Sequence, residues 1–340
     1  MEIGRIAAVL FLLSVAPPLY AEGIQPSVAV YYPGVPWYLR YEVEGVLEEY
    51  NSHKPGQSTY TMARSETSGL LVSAQISPAG SAKTAAQCRS REHEHNRQQK
   101  ALAGAEIRLQ DAKGVDMEVL VPLGADKKAV SRHVHRFWLR DGVCAKLHAS
   151  KTPFAQTDRS TFDKVLDSVR FEPVAATLER AFLVPGRGTL LLKTPAAWGF
   201  RASRPGKIGP RDIQFMDPGG EYQMMLTLFP DAQAMLQGEP TARAFVEMAR
   251  DAAKPKAVEP DPQLVALKGT SGAGFYFQVT DKDLVGKPPK PGDWKYLRQG
   301  ALLAGESLLL FSLLSNVKDS PVVDGALRAL REARFASLPK

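Results

Sequence analysis

"FDKVLDSVRF", residues 162–171, and "GALRALREARF", residues 325–335, decide how this chain is divided. In the first, Phe162, Val165, Leu166 and Val169 recur at i, i+3, i+4 and i+7. That is the apolar stripe of a short amphipathic helix. The chain then runs straight into Arg170-Phe171. The second stretch closes the same way, on Arg334-Phe335. One such helix at the midpoint and one at the C-terminus imply a plan used twice.

Working outward, matching stretches appear in the same order on each side of the midpoint. Each half has a Trp-bearing strand, "VPWYLRYEVEG" (35–45) and "AAWGFRAS" (196–203). Each continues with two strands around a polar turn, 58–78 and 210–230; Asp217-Pro218-Gly219-Gly220 is one turn and Ser65–Gly69 takes the matching place. A helix follows in each. That of 241–253 has Phe245, Met248, Ala249 and Ala252 on one face, while its counterpart within 82–103 has a thinner one, Ala85, Ala86 and Cys88. Then come further strands, 105–124 and 133–150 against 274–281 and 296–316. Asp141-Gly142 and Gly305-Glu306 mark turns between them. The proline and glycine punctuation of 172–188 reads as a connection. The expectation is an α+β fold: two tandem domains, residues 22–173 and 189–340, joined by a linker at 174–188. Each would be an antiparallel β-sheet with packed helices in an α/β/α sandwich.

"WLRDGVCAKLHAS" and "FDKVLDSVRFEP", both within 138–173, carry a resemblance to the PsbP-like superfamily, and 274–335 is similar. That superfamily includes an extrinsic protein of photosystem II, a nuclear import factor that binds the Ran GTPase, and bacterial envelope proteins. The resemblance implies the sandwich fold and a binding role. Its motifs are structural, so it assigns no functional residue. The stretch around 282–293 departs from the family pattern.

The composition sets outer bounds. The chain has 340 residues, 44% hydrophobic and 23% charged, a soluble globular balance. Its net charge of +7 is spread over both halves, with no concentrated basic stripe, which argues against a nucleic-acid partner. Residues 1–21 read as a cleaved signal peptide: Arg5, the apolar run "IAAVLFLLSVA", and a small residue at Ala21. The apolar run is too short for a membrane span, and no transmembrane helix is expected in the mature chain. The expected location is therefore periplasmic or secreted. In that oxidising compartment Cys88 and Cys144 are expected to form a disulfide.

No catalytic motif or cofactor cradle stands out, and no cofactor is expected. His133 and His135 lie at i and i+2 on a strand and would share a face, the basis of an alternative reading as a metal- or small-ligand-handling protein. The most distinctive stretch is "VTDKDLVGKPPKPGDWKYLRQG" (279–300), where Lys287, Lys290 and Arg298 surround Trp294 and Tyr296 on a proline-stiffened loop. It is the candidate surface for a periplasmic protein or envelope polymer. The expected role is thus binding or scaffolding without catalysis.

Overall fold

The computed structural model describes residues 27–43, 46–52, 58–65, 68–98, 104–111, 113–124, 129–184, 188–202, 210–217, 219–229, 239–305 and 307–336. The expected signal peptide lies outside the described residues. The first half runs β1 (Ser27–Tyr31), β2 (Trp37–Glu42), β3 (Val46–Ser52), β4 (Thr59–Ser65), β5 (Leu71–Pro78), α1 (Ala85–Arg97), β6 (Glu106–Gln110), β7 (Val115–Leu123), β8 (Ala129–Arg140), β9 (Val143–Lys151), α2 (Arg159–Asp167) and β10 (Arg170–Pro173). The second runs β11 (Thr177–Val184), β12 (Gly188–Pro195), β13 (Gly199–Ala202), β14 (Arg211–Met216), β15 (Tyr222–Phe229), α3 (Glu239–Ala253), β16 (Val265–Lys268), β17 (Ala273–Thr280), β18 (Tyr296–Ala304), β19 (Ser307–Ser315), α4 (Pro321–Arg331) and β20 (Arg334–Ala336).

The order of strands and helices is the same in both halves. So is the pairing. A three-stranded sheet β1-β2-β10 has its counterpart in β11-β12-β20. The remaining strands run β3-β4-β5-β9-β8-β7-β6 in one half and β13-β14-β15-β19-β18-β17-β16 in the other. Phe171 pairs with Leu39 on β2, and Phe335 pairs with Leu190 on β12, so the two closing Arg-Phe pairs do correspond.

The α+β expectation of two separate sandwiches is overturned. Strands take up 51% of the described residues and helices 21%, a more β-rich make-up than an α+β sandwich. Nor does each half keep a large sheet to itself. Strand β3 pairs antiparallel with β13 through Asn51↔Phe200 and Tyr50↔Arg201, which fuses the two seven-stranded arrays into one 14-stranded sheet. The physical reason is that β3 and β13 are the inner edges of their arrays. An edge strand with free N–H and C=O groups pairs with another when one is within reach. Residues 174–188, read as a linker, contain β11, whose alternating "TLERAFLV" buries Leu178, Arg180 and Phe182. The two Trp strands are not equivalent either. Trp37 opens β2 in a small sheet, whereas Trp198 precedes β13 in the large one.

Two main cores hold the layers together. In the first half the small sheet and α2 bring Val30, Leu39, Tyr41, Phe162 and Leu166 onto Val72, Ile76 and Leu147 of the large sheet. In the second, Phe182, Leu190 and Leu192 with Val323 and Leu330 of α4 cover Phe215, Leu226 and Phe311. Helix α4 forms here because Ser320 caps it, its hydroxyl accepting from the Val323 N–H at 3.3 Å, with Pro321 at the first helical position. A smaller cluster of Ala29, Tyr38, Leu178 and Ala196 ties the two small sheets to each other beneath the β3–β13 seam. On the opposite face of the large sheet, α1 packs over β7 and β8, and α3 over β17 and β18. These two helices frame the candidate sites.

Candidate functional site

Cys88 of α1 and Cys144 of β9 form a disulfide with Cα atoms 5.9 Å apart, across the interface of helix and sheet. Among the described residues no helix is long and apolar enough to cross a membrane.

The inserted stretch between β17 and β18, residues 281–295, is ordered by its own backbone. The Asp281 N–H donates to the Lys295 carbonyl at 2.8 Å and closes the base of the loop. The Asp281 carboxylate accepts from the Asp283 N–H at 2.8 Å and caps the short turn Lys282–Leu284. Lys282 donates to the Pro255 carbonyl just beyond α3. Folded this way, the loop faces the C-terminal end of α3 and encloses a groove of about 540 Å³. Val279, Leu297 and Leu314 of the sheet line it together with Trp294. Asp281, Asp283 and Asp293 also line it, and none of the three makes an ion pair among the described residues. A second hollow of about 390 Å³ is lined by Gln299 and Ser312. Those residues share a sheet face with Leu297 and Leu314, one pleat further on, so the two hollows lie end to end beside α3. The first half has only residues 124–128 at the place of this loop.

The residues expected to present a docking surface separate. Lys287 and Lys290 are exposed. Trp294 lines the groove. Tyr296 begins β18, in register with Thr280 and Ser315. Arg298 is removed from the surface: it is 6% exposed, donating to the Lys318 carbonyl at 2.7 Å and lying 3.5 Å from Asp319. The cations therefore do not ring the aromatic residues. The groove wall is apolar with carboxylates and the two lysines Lys256 and Lys295, while Lys287 and Lys290 are not part of its lining.

His133 and His135 do lie on one face of β8, and a third imidazole, that of His148, engages both. His148 of β9 is in register with His135, and their rings stack at 4.4 Å. His133 Nδ1 and His148 Nε2 are hydrogen-bonded at 3.0 Å. The chain of bonds continues from His148 Nδ1 to the Ser73 hydroxyl (3.2 Å), and from His133 Nε2 to Ser131 (3.0 Å) and on to Thr152 (2.6 Å). His135 is buried, and its Nδ1 is left without a hydrogen-bond partner. Burial, then the charges of His133 and Lys146, push the His148 imidazole down to about 3. Burial first, then His148, Lys146 and His133, hold His135 well below the usual imidazole range. Burial lowers His133 as well. The three rings are neutral at physiological pH, and both nitrogens of His133 and of His148 are already hydrogen-bonded. Among the described residues no three His, Cys, Asp or Glu side chains converge to hold a metal ion.

The corresponding row of the second half reads Met225, Ser312 and Gln299 across β15, β19 and β18, where the first has Ser73, His148 and His135. Among the described residues the imidazole relay thus belongs to one half and the groove to the other. Compared with family models, curated proteins and solved structures, the chain matches none.

Proposed function

We propose that this chain is an exported, non-catalytic binding protein of the periplasm, and that it takes a segment of a partner protein or envelope component into the groove between residues 281–295 and α3. The groove itself is the observation behind this reading: about 540 Å³, walled by Trp294 and aliphatic side chains that include Val279, Leu284, Leu297 and Leu314, with Asp281, Asp283 and Asp293 beside Lys256 and Lys295 as its polar groups. Concave apolar sites with a few polar groups, in the range of roughly 300–1,000 Å³, are the usual form of a ligand pocket. The absence of a matching loop in the first half fits a feature added to a shared scaffold for a purpose of its own. The disulfide fits an exported protein. The resemblance of 138–173 and 274–335 to PsbP-like proteins adds a role class, envelope proteins that bind partners.

The histidine relay supports the non-catalytic side of the proposal. An imidazole whose conjugate acid lies at about 3 is too weak a base to take protons at neutral pH. It also disfavours the metal-handling alternative, because the nitrogens of His133 and His148 that face each other are already bonded.

A photo-crosslinking amino acid placed at Trp294 in the native host tests the proposal. A discrete adduct is expected there and not from Val322 on the opposite side of the sheet, which is 37% exposed. Equal labelling at both positions, or none at Trp294, overturns the binding site. Recovery of the chain with Met1 intact overturns the exported location.

A further inference from the structure

Helix α1 is held to the sheet in an unusual way. The residues it buries are Cys88, Arg89 and Asn96, so its inward stripe holds no large apolar side chain. Its counterpart α3 buries Ala242 and Val246 and packs Ala249 and Ala253 against the sheet, with no disulfide. Beneath α1 lie Met117, Val119 and Phe137, all buried. What fixes α1 over them is the bond to Cys144, the ion pair of Glu92 with Lys146 (2.7 Å), and Arg89 donating to the Gln110 and Asp116 carbonyls and to Asp111. Water can replace the polar contacts; it cannot replace the covalent one.

The surroundings of that bond favour its exchange. The exposed Arg91 brings its guanidinium Nη2 to 2.9 Å from Cys144 Sγ. Both cysteines are buried, but a cavity of about 190 Å³ reaches them, lined by Cys88 and Cys144 together with Phe137, Arg91, Glu92 and Lys146. It has room for an incoming thiol. A cation beside a sulfur stabilises its thiolate, and the sulfur with the more stable thiolate is the better leaving group.

We propose that Cys88–Cys144 is a thiol-exchange site, acted on by small thiols or dithiols, and that its reduction releases α1 from the sheet. A thiolate attacks Cys88 Sγ and forms a mixed disulfide. The Cys88–Cys144 bond breaks, and its electron pair leaves on Cys144 Sγ beside Arg91. A second thiolate then attacks the sulfur of the incoming group. The two thiols depart as a disulfide, Cys88 leaves as a thiolate, and both cysteines take protons from water. Two electrons pass from the thiols to the protein. Met117, Val119 and Phe137 then lose their cover, and the first half gains an apolar surface that the second half keeps closed.

The test uses the oxidised mature chain in reduced glutathione at neutral pH without denaturant. Thiols are counted by maleimide mass shift, and hydrogen exchange is followed along the chain. Reduction is expected under these native conditions, with protection lost in 85–97 and kept in β8, β9 and α3. Arg91→Gln should slow reduction by about threefold or more through the poorer leaving group, and Arg91→Lys should restore part of the rate. The Cys88→Ser/Cys144→Ser double variant should show the same exchange pattern as the reduced protein. The proposal is overturned by any of four results: reduction only in urea, a rate indifferent to Arg91→Gln, protection of 85–97 that survives reduction, or a double variant that loses protection throughout the sheet.

Discussion

Replacing His148 with Gln should flatten the acid limb of the stability curve. The folded imidazole is pushed down to about 3 from an ordinary 6.5, so between those values the unfolded chain binds a proton that the folded chain refuses. The stabilisation is therefore whole above pH 6.5 and drains away as the pH falls towards 3. One pH unit inside that window corresponds to about 1.4 kcal/mol, so at pH 5 His148 alone removes about 2 kcal/mol relative to pH 7.5. His135 acts in the same direction, because its imidazole is lowered too. Few carboxylates titrate as high as pH 5, so the window isolates the histidines. Urea unfolding at pH 7.5 and pH 5 measures the difference. His148→Gln will lower stability at both values through its lost bonds to Ser73 and His133. The fall between the two pH values should nevertheless shrink by about 2 kcal/mol. A fall that matches the wild type within about 0.5 kcal/mol refutes the account of a relay kept neutral by burial.

Three further substitutions probe the scaffold by thermal or urea unfolding. Glu118→Ala should cost about 3–5 kcal/mol, because Arg132, 7% exposed and paired to Glu118 at 2.6 Å, would be left as an unmatched buried charge; a loss under 1 kcal/mol would mean that water reaches it. Phe162→Ala removes a fully buried ring from beneath Phe154 and Arg132 and should likewise cost about 3–5 kcal/mol. Gly300→Ala would place a Cβ 2.3 Å from the Phe275 carbonyl oxygen and 2.5 Å from the Phe311 ring, and overpacking of this kind costs about 1–3 kcal/mol or more; unchanged stability would show that β17 and β18 can move apart freely.

What was legible in the sequence followed from local chemistry. The stretch 325–335 announced α4, which Ser320 caps. Asp141 and Gly142 adopt φ of 47° and 74°, and that tight turn sets β8 against β9. The same turn puts His148 opposite His135, so the third member of the relay could have been counted off from it. The distribution of the lysines around Trp294 could not. Arg298 reads as one more surface cation until α4's approach brings Lys318 and Asp319 over it. Strand β11 was hidden because Glu179 and Arg180 interrupt its apolar alternation, and Arg180 is buried while donating to Thr194 and to the Trp198 carbonyl and lying over the Phe200 ring. The seam was least accessible of all. Whether β3 meets β13 depends on strand edges far apart in the chain, and no periodicity within either strand encodes that meeting.

The seam also bears on how the protein escapes self-association. Two separate seven-stranded sheets would present four open borders. Joining β3 to β13 removes the inner two. The outer ones are poor templates: β6 is five residues with Glu106 and Arg108 paired to each other, and β16 is four residues ending in Lys268. Short, charged borders resist docking by another chain. Each half thus acts as an intramolecular cap for the other. A proteolytic cut that freed one from the other would uncover the β3 and β13 borders, and turn a self-limiting pair into a seed for open-ended strand addition.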